Sequence, residues 1–415
     1  MKKLRVERTQ WAVGNGFFHT GTIGADGQRI TYAYDCGALN RRANQHALDR
    51  EIKECTYRLR RIDVFFVSHF DYDHVCGINK LSKLIPVERF VIPLIPAAER
   101  LLRLVWQLQS QQPPPDPAQN DFYLDLVADP IGTLESRSRS EPIVVEPTTW
   151  EEPPQLVDSA FVPPPEAPLS VGPIEWEPIE LEVTPHPSLS TVTASSETVW
   201  VFRQIVAREA SGVTTDFVDE LVRRKLIGHK RDLDDPKVVK QLVLTHLQVL
   251  KEAYLAAVTP VGASFTLNLT SLMLYSGPPV TSRIRTYRTR SWPVERRECG
   301  AWGCRPGFLG LGDADMRAKG RIDHVNHCFR KEKSYTGTFA PSHHGSKRDW
   351  NAGLLKGFTP DDVAPNCVFS ASGAYGHPSS EAILDVNNLG GISIVVSTDI
   401  RSRWTEEFTV YVTEH

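Results

Sequence analysis

The feature that most constrains the fold is a set of short apolar runs that each end in a polar cluster. RIDVFFV (61–67) is almost wholly apolar, which is typical of a parallel strand covered on both faces. Three later runs end in the same way. Because functional side chains gather where such strands end, the pattern predicts a layered α/β fold with one functional edge. The residues at the four ends are His69, Asp71, Asp73 and His74, then Asp313 and Asp315, then His343 and His344, and finally His377.

Composition divides the chain into four segments. Residues 1–110 and 261–415 carry the strand-like runs and are predicted to form the two halves of one domain. Prolines crowd into residues 111–195, which predicts an extended or partly disordered linker or insertion. Residues 196–260, from ETVWVFRQ to EAYLAAV, show a helical period and predict a helical insertion.

Charge and cysteine content limit the class of protein. A formal net charge of −3 excludes a basic nucleic-acid coat, so nucleic-acid binding would need a local patch. No apolar run approaches the length of a membrane span, and the basic N-terminus is followed by no apolar segment, so we expect neither membrane insertion nor export. Seven cysteines, an odd number, favour free thiols in a reducing compartment. The sequence therefore predicts a cytoplasmic protein.

The cluster SHFDYDHVCG (68–77) predicts a metal site. It places two imidazoles and two carboxylates within six positions, His69 to His74. For any single one of these residues the alternative is a cap or a turn. A loop without a metal gains nothing from four such groups together, because the carboxylates repel one another.

These motifs resemble the metallo-β-lactamase superfamily, whose usual signature is His-x-His-x-Asp-His. The form with Asp in the second position is closer to the lactamase-like domain of competence DNA-uptake (ComEC-type) proteins. VGNGFF, YDCGA, NLTSLMLY, LGDAD, SHHGSKRD and YGHPSSEAIL follow in the order of that domain, over residues 11–95 and 262–415. The resemblance implies a four-layer αββα sandwich and a metal-dependent hydrolase. The chain lacks the channel of those proteins, so DNA import does not follow from the resemblance.

Two divalent ions, Mn or Zn or Mg, are the expected cofactors. Ions roughly 3.5 to 4 Å apart, bridged by a carboxylate, suit hydrolysis of a phosphodiester. We expect Asp313 to be the bridge, and an Asp in place of an imidazole at Asp71 favours a harder ion than zinc. Many superfamily members have a further metal-binding His before the Gly-Asp turn; the candidates here are His186 and His246, for which a loop or helix-surface position is the favoured alternative. The expected metal ligands are His69 and Asp71 on one ion, Asp73 and His74 on the other, and Asp313 and His343.

The remaining groups are assigned to catalysis and support. Asp35, at the end of the opening hairpin, is expected to orient a ligand histidine from behind. Cys299 and Cys304 could form a structural zinc site with His324, His327 and Cys328, although buried free thiols are the alternative. The expected catalytic residues are Asp73, His74, His344 and His377.

An arginine-rich stretch suggests a polymeric substrate. Between residues 283 and 305 arginines greatly outnumber acidic residues, and Tyr287 and Trp292 are interleaved with them, as a phosphate-tracking and base-stacking surface requires. A solvated hairpin or a protein interface is the alternative. The expected nucleic-acid-binding residues are Arg283, Arg285, Arg288, Arg290, Lys347 and Arg348.

The sequence thus predicts a nuclease or phosphodiesterase acting on DNA or RNA. By fold-level analogy alone, such a protein could be a regulated effector in a bacterial antiviral defence module. One alternative is hydrolysis of a small phosphoester or cyclic nucleotide. The other is an interaction module in which residues 111–260 dock a controlling protein partner.

Overall fold

In the computed structural model, the described strands form two sheets of eight strands each. The structure describes residues 2–110, 113–115, 120–147, 181–207, 212–260, 270–280, 283–292, 305–317, 320–359 and 364–413. The first sheet contains β1 Lys2–Gln10, β2 Phe18–Ala25, β3 Gln28–Cys36, β4 Ile62–Phe66, β5 Val87–Pro93, β6 Ile143–Val145, β11 Arg283–Trp292 and β16 Trp404–Thr413. The second contains β7 Leu181–Thr184, β8 Leu189–Ala194, β9 Glu197–Ala207, β10 Ser271–Gly277, β12 Gly307–Gly310, β13 Thr336–Ala340, β14 Asn366–Ser370 and β15 Ser393–Val396.

The strand order places a parallel block in each sheet. The first sheet runs β11-β16-β1-β2-β3-β4-β5-β6 and the second runs β15-β14-β13-β12-β10-β9-β8-β7. Strands β3 to β6 pair in parallel, as do β12 to β15, and the other neighbours are antiparallel. The carboxyl ends of each parallel block therefore share one edge of their sheet.

Helices cover the outer face of both sheets. They are α1 Arg42–Arg58, α2 Tyr72–Val75, α3 Ile78–Leu84, α4 Ala97–Gln107, α5 Asp121–Ala128, α6 Pro130–Glu135, α7 Gly212–Arg223, α8 Pro236–Val258, α9 Arg321–Cys328, α10 Ala352–Lys356 and α11 Ser380–Asn388. No helix in the described ranges is long and apolar enough to cross a membrane.

Three buried clusters define the layers. All five residues of β4 are buried, and its apolar side chains contribute to two cores. Phe65 packs in the outer core that α1, α3, α4, α5, α7 and α8 complete, whereas Phe66 meets Phe202 of β9 between the sheets at 5.3 Å between ring centroids. A third core joins the second sheet to α9, α10 and α11. The predicted four-layer αββα sandwich is confirmed.

Local predictions around the first sheet are also confirmed. The turn at Ala25–Gly27 joins β2 to β3 as an antiparallel hairpin. The hairpin is followed by α1, and the apolar run that delivers His69 is β4. Both patterns are local, and the sheet pairings agree with them.

The segment between the halves differs from the prediction. Residues 197–207, predicted to begin a helical insertion, form strand β9 between β8 and β10. Val199, Trp200, Val201 and Phe202 are all buried, and β-branched and aromatic residues in such a run fit a strand enclosed on both faces. The helices predicted farther along this segment are α7 and α8.

The predicted linker also contributes to the sheets. Within 111–195 the described residues form α5, α6 and β6, and then β7 and β8, so the second sheet begins at Leu181 rather than at residue 261. Likewise β11 and β16, from the predicted second half, pair within the first sheet. Residues 148–180 of the Pro-rich stretch lie outside the described residues.

Candidate metal centre

The carboxyl ends of four parallel strands bring the predicted histidines and aspartates together. His69 follows β4, Asp313 follows β12, and His377 follows β14. His343 and His344 follow β13 in a one-turn 3-10 segment, Ser342–Gly345. Backbone hydrogen bonds tie these ends to one another, from Leu272 N–H to Ser68 O at 2.7 Å and from His343 N–H to Gly312 O at 3.0 Å.

One cluster consists of His69, His74 and Asp313. Nε2 of His69 lies 3.6 Å from Oδ2 of Asp313, and Nε2 of His74 lies 3.3 Å from Oδ1 of the same carboxylate. All three side chains are buried. Asp313 therefore presents one oxygen to each imidazole, which is how a bridging carboxylate would be placed.

A second cluster consists of Asp73, His74 and His344. Nε2 of His344 lies 3.7 Å from Oδ2 of Asp73. In each cluster the potential ligand atoms lie within 4.8 Å of one another. The two clusters share His74, so they form one continuous site.

The ligand atoms fit a metal ion because they are buried and lack hydrogen bonds. Nε2 of His69, His74 and His344 and Oδ1 of Asp313 are enclosed by protein without a hydrogen-bond partner. A buried polar atom left in this state is costly, and such atoms are rare in native proteins. Four of them facing one space are the donor set of a metal site with nitrogen and oxygen ligands.

Hydrogen bonds behind the imidazoles set their tautomers. Asp35 lies 2.8 Å from Nδ1 of His74 and accepts from the Ser68 hydroxyl at 2.6 Å and from the Ser68 N–H at 2.7 Å. Since the single hydroxyl proton of Ser68 goes to Asp35, its oxygen accepts from Nδ1 of His69 at 2.8 Å. Both rings therefore carry a proton on Nδ1 and can offer the Nε2 lone pair to a metal. Asp35 has the position that the sequence predicts.

Asp71 lies outside both clusters. The buried guanidinium of Arg103, on α4, meets its two carboxylate oxygens, with Nε at 3.0 Å from Oδ1 and Nη2 at 3.2 Å from Oδ2. Nη1 of Arg103 also donates to Thr270 O at 3.1 Å. Oδ2 of Asp71 is 3.6 Å from Nε2 of His69, so metal ligation by Asp71 stays a prediction. Its negative charge is already paired within the protein.

His343 lies at the rim and is oriented by a carboxylate. Its Nδ1 is 2.5 Å from Oδ2 of Asp349, and its Nε2 is 3.9 Å from Oδ2 of Asp313. Burial alone would lower the pKa of His343, but Asp313 and Asp349 together outweigh it and raise the pKa to about 9. This protonation belongs to the metal-free ring, because a histidine that ligates an ion has to be neutral and the ion displaces its proton.

His377 has the opposite electrostatic character. Its ring centroid is 5.3 Å from that of His343 and 6.4 Å from that of His344. Burial, followed by the nearby His343 and His344, lowers the pKa of His377 to about 3. His377 is therefore neutral at physiological pH, beside a charged His343.

Strained backbone shapes the loop that holds two of the histidines. His343 and His344 have φ of 45° and 55°, and Gly345 has φ of 77°. Three successive residues in the left-handed region are uncommon, and such strain concentrates at functional sites. Gly345 has to be glycine here because a Cβ would lie 2.6 Å from the ring of Phe369.

Of the predicted nucleic-acid-binding residues, two lie next to the centre. Lys347 and Arg348 are exposed and follow the His343–His344 turn directly. The four predicted arginines from Arg283 to Arg290 belong to β11, an edge strand, and their side chains lie outside what the structure describes.

Strand register fixes how β11 lies relative to the centre. Its last residue, Trp292, pairs with Thr405, and successive partners across β16, β1 and β2 lead to the Asp35 end of β3. The two strands are four steps apart, or about 19 Å at ~4.8 Å a step. The arginine run therefore extends away from the metal edge, with its Arg290 end nearer.

The residues that were not predicted from the sequence contact predicted site residues and hold them in place. Arg103 sits among leucines on an amphipathic helix and gives no signal of its own. Asp349 lies within the quoted SHHGSKRD motif, where its spacing from His343 could have suggested a partner. Cys299 and Cys304, proposed for a structural zinc site, lie outside the described residues, whereas Cys328 Sγ is 3.6 Å from His324 Nε2 on α9.

Comparisons with known proteins give little detail. No family model and no curated protein matches this chain. Among solved structures it is similar to a long-form RNase Z from yeast, with 9% identity and a TM-score of 0.30 over 89% of this chain and 36% of that one. It is also similar to the metallo-β-lactamase fold protein YhfI from Bacillus subtilis, with 15% identity and a TM-score of 0.16 over 48% of this chain and 61% of that one. The chain thus spans less than two thirds of either matched protein, and both TM-scores are below 0.5.

Proposed function

We propose that this protein is a metal-dependent hydrolase of the metallo-β-lactamase type that cleaves phosphodiester bonds in DNA or RNA. The observation that carries the proposal is the convergence of three buried, unpartnered Nε2 atoms and an Asp313 oxygen on one space. The nitrogens belong to His69, His74 and His344. A site with this donor set is suited to hydrolysis rather than to structural metal binding alone, because its mouth is lined by further ionisable groups.

Asp313 divides the ligands into two groups. Its Oδ2 faces His69 at 3.6 Å and His343 at 3.9 Å, whereas its Oδ1 faces His74. His74 in turn lies with Asp73 and His344. We therefore propose that His69 and His343 serve one divalent ion and that Asp73, His74 and His344 serve the other, with Asp313 between them. This differs from the sequence prediction, which paired His69 with Asp71.

The protein's own groups suit a phosphodiester. Divalent ions held here, Mn or Zn, would supply Lewis-acid stabilisation of the charge that develops on phosphoryl oxygens. His377, held neutral by burial and by the nearby histidines, can exchange a proton with the attacking or departing oxygen. Lys347 and Arg348 place positive charge beside the mouth, where it attracts a polyanion.

The proposal is tested with purified protein, manganese or zinc, and labelled single- and double-stranded oligonucleotides. Asp73→Ala with His74→Ala should abolish cleavage because it removes two of the three side chains proposed to hold the second ion. His46→Ala is the matched control, since His46 is an exposed histidine on α1. Robust cleavage by the double variant, with its thermal unfolding unchanged, would exclude this centre as the source of activity.

The small-phosphoester alternative is distinguished by substrate size. Replacing Arg283, Arg285, Arg288 and Arg290 together by serine should weaken polymer cleavage if these residues track phosphates, and should reduce its salt dependence. Hydrolysis of a small phosphodiester should persist in that variant. Equal loss of both activities would contradict a role in polymer binding. A controlling partner on residues 111–260 stays a prediction from the sequence.

A further inference from the structure

Tyr375 has an unusual conformation and an exposed ring at the mouth of the candidate metal centre. Its φ and ψ are 57° and 17°, which is left-handed backbone in a bulky aromatic residue. The side chain is 48% exposed, although Tyr is usually at least partly buried. Such strain persists only where the surrounding structure enforces it.

A buried asparagine holds the loop in this conformation. Asn15 accepts hydrogen bonds from the N–H and the hydroxyl of Ser372, both at 2.9 Å, and donates to Ala374 O at 3.4 Å. The loop itself is closed by His377 N–H donating to Ala374 O at 3.1 Å. The anchors lie on either side of Tyr375, so the loop is fixed while the ring stays exposed.

The Tyr375 ring lies between the centre and a cation. Its centroid is 6.1 Å from the ring of His377 and 5.8 Å from the guanidinium carbon of Arg41, which precedes α1. The carboxylate of Asp73 is close enough to contribute to raising the pKa of Tyr375, after burial and against Arg41. One side of the ring is thus oriented by protein, and the remaining surface is open beside a site residue.

We propose that Tyr375 and Arg41 form a nucleobase-stacking subsite, so that the substrate is single-stranded nucleic acid whose unstacked base lies next to the scissile phosphate. The inference rests on the proposed phosphodiesterase function and specifies its substrate. Aromatic rings stack on bases of any sequence, and a guanidinium adds a cation for the backbone. A base inside a duplex is already stacked and cannot occupy this ring.

Binding is measured first, by fluorescence anisotropy with metal-free protein. The probes are a labelled single-stranded oligothymidylate, an abasic strand of the same length, and a duplex. Stacking on one ring is worth enough that Tyr375→Leu should weaken oligothymidylate binding about tenfold. Affinity for the abasic strand should be unchanged, and Tyr375→Phe should bind as the wild type does. Tyr57→Leu is the matched control because Tyr57 is 87% exposed on α1.

Two results would overturn the inference. One is equal weakening of oligothymidylate and abasic binding by Tyr375→Leu, because the ring would then act only by shaping the loop. The other is wild-type affinity for the duplex that equals affinity for the single strand. Cleavage assays separate the two proposals. In an active enzyme, Tyr375→Leu should raise KM more than it lowers kcat. If the wild-type protein is inactive but still shows the base-dependent binding, the proposed hydrolysis is rejected and the stacking subsite is retained.

Discussion

Replacing Arg103 by methionine should destabilise the protein strongly, because it leaves Asp71 as an unpaired buried carboxylate. The side chains of Arg103 and Asp71 are only 4% and 6% exposed, and two contacts of 3.0 and 3.2 Å join them. Methionine has a similar length and no charge. Removing one member of a buried ion pair costs about 3–5 kcal/mol. That range includes the free energy lost with the hydrogen bond that Arg103 donates to Thr270 O.

The prediction is measured as a double-mutant cycle. The free energy of unfolding is obtained by urea denaturation for Arg103→Met, Asp71→Asn and the double variant. Because the double variant leaves neither charge unpaired, we expect it to recover most of the loss, with a coupling energy of about 2 kcal/mol or more. Arg42→Met is the matched control: Arg42 is exposed on α1, so its change should stay within about 0.5 kcal/mol.

The metal content of the double variant shows whether Asp71 is a metal ligand or only the ion-pair partner of Arg103. Since Asp71 lies outside both ligand clusters, the double variant should bind as many ions per chain as the wild type, measured by elemental analysis after dialysis. A loss below about 1 kcal/mol in Arg103→Met, or no coupling in the cycle, would refute the structural reasoning. Loss of one ion in the double variant would instead support the sequence prediction that Asp71 is a ligand.

Three further changes test the site and its surroundings. Gly345→Ala should lower the free energy of unfolding by about 2 kcal/mol or more, because the φ of residue 345 is 77° and the new Cβ would lie 2.6 Å from the Phe369 ring. Urea denaturation measures this change, and a neutral effect would contradict the loop geometry. Asp349→Asn should reduce metal affinity or kcat about 10- to 100-fold with an unchanged circular dichroism spectrum, because it weakens the 2.5 Å contact that orients His343; full activity would show that this contact is dispensable. Burial raises the pKa of Cys55 to about 12, so its thiol should not react with an aromatic disulfide reagent at pH 8 until urea unfolds the chain; labelling of Cys55 in the native protein, located by mass spectrometry, would contradict its burial.

The candidate site could be located from the sequence because its signals are local. An almost wholly apolar run such as residues 62–66 identifies a buried strand, and polar residues directly after it lie at the strand's end. Three of the four ends, those of β12, β13 and β14, share the edge of one parallel block, and the end of β4 meets them from the facing sheet. Asp35 could be assigned on the same ground, as the last polar residue of its strand before Cys36.

Which ligands share one ion could not be predicted from these local signals. The sequence prediction placed His69 and Asp71 on one ion, and in an extended chain residues two apart do point to the same side. The partner that Asp71 has instead comes from α4, 32 residues along the chain. In a helical pattern, an arginine at a buried position cannot be told from an exposed one. The pattern shows which face of the helix is apolar, but not which residues of other elements contact that helix. Strand β9 was missed for a related reason: its buried run has no period-2 alternation to separate it from a helix.

The Arg103–Asp71 pair also bears on which substrate the centre favours. The carboxylates that face the ligand histidines are Asp35, Asp73, Asp313 and Asp349, four negative charges. Two divalent ions carry four positive charges, so the loaded site would have no net charge when Asp71 is neutralised by Arg103. With Asp71 unpaired, a fifth carboxylate would make the loaded site negative and repel a phosphate. In a buried site of low effective dielectric constant, one unit of charge has a large effect on the binding of an anion. The salt bridge contributed by α4 would therefore keep the loaded centre from becoming negative, which is a condition for binding a phosphodiester anion.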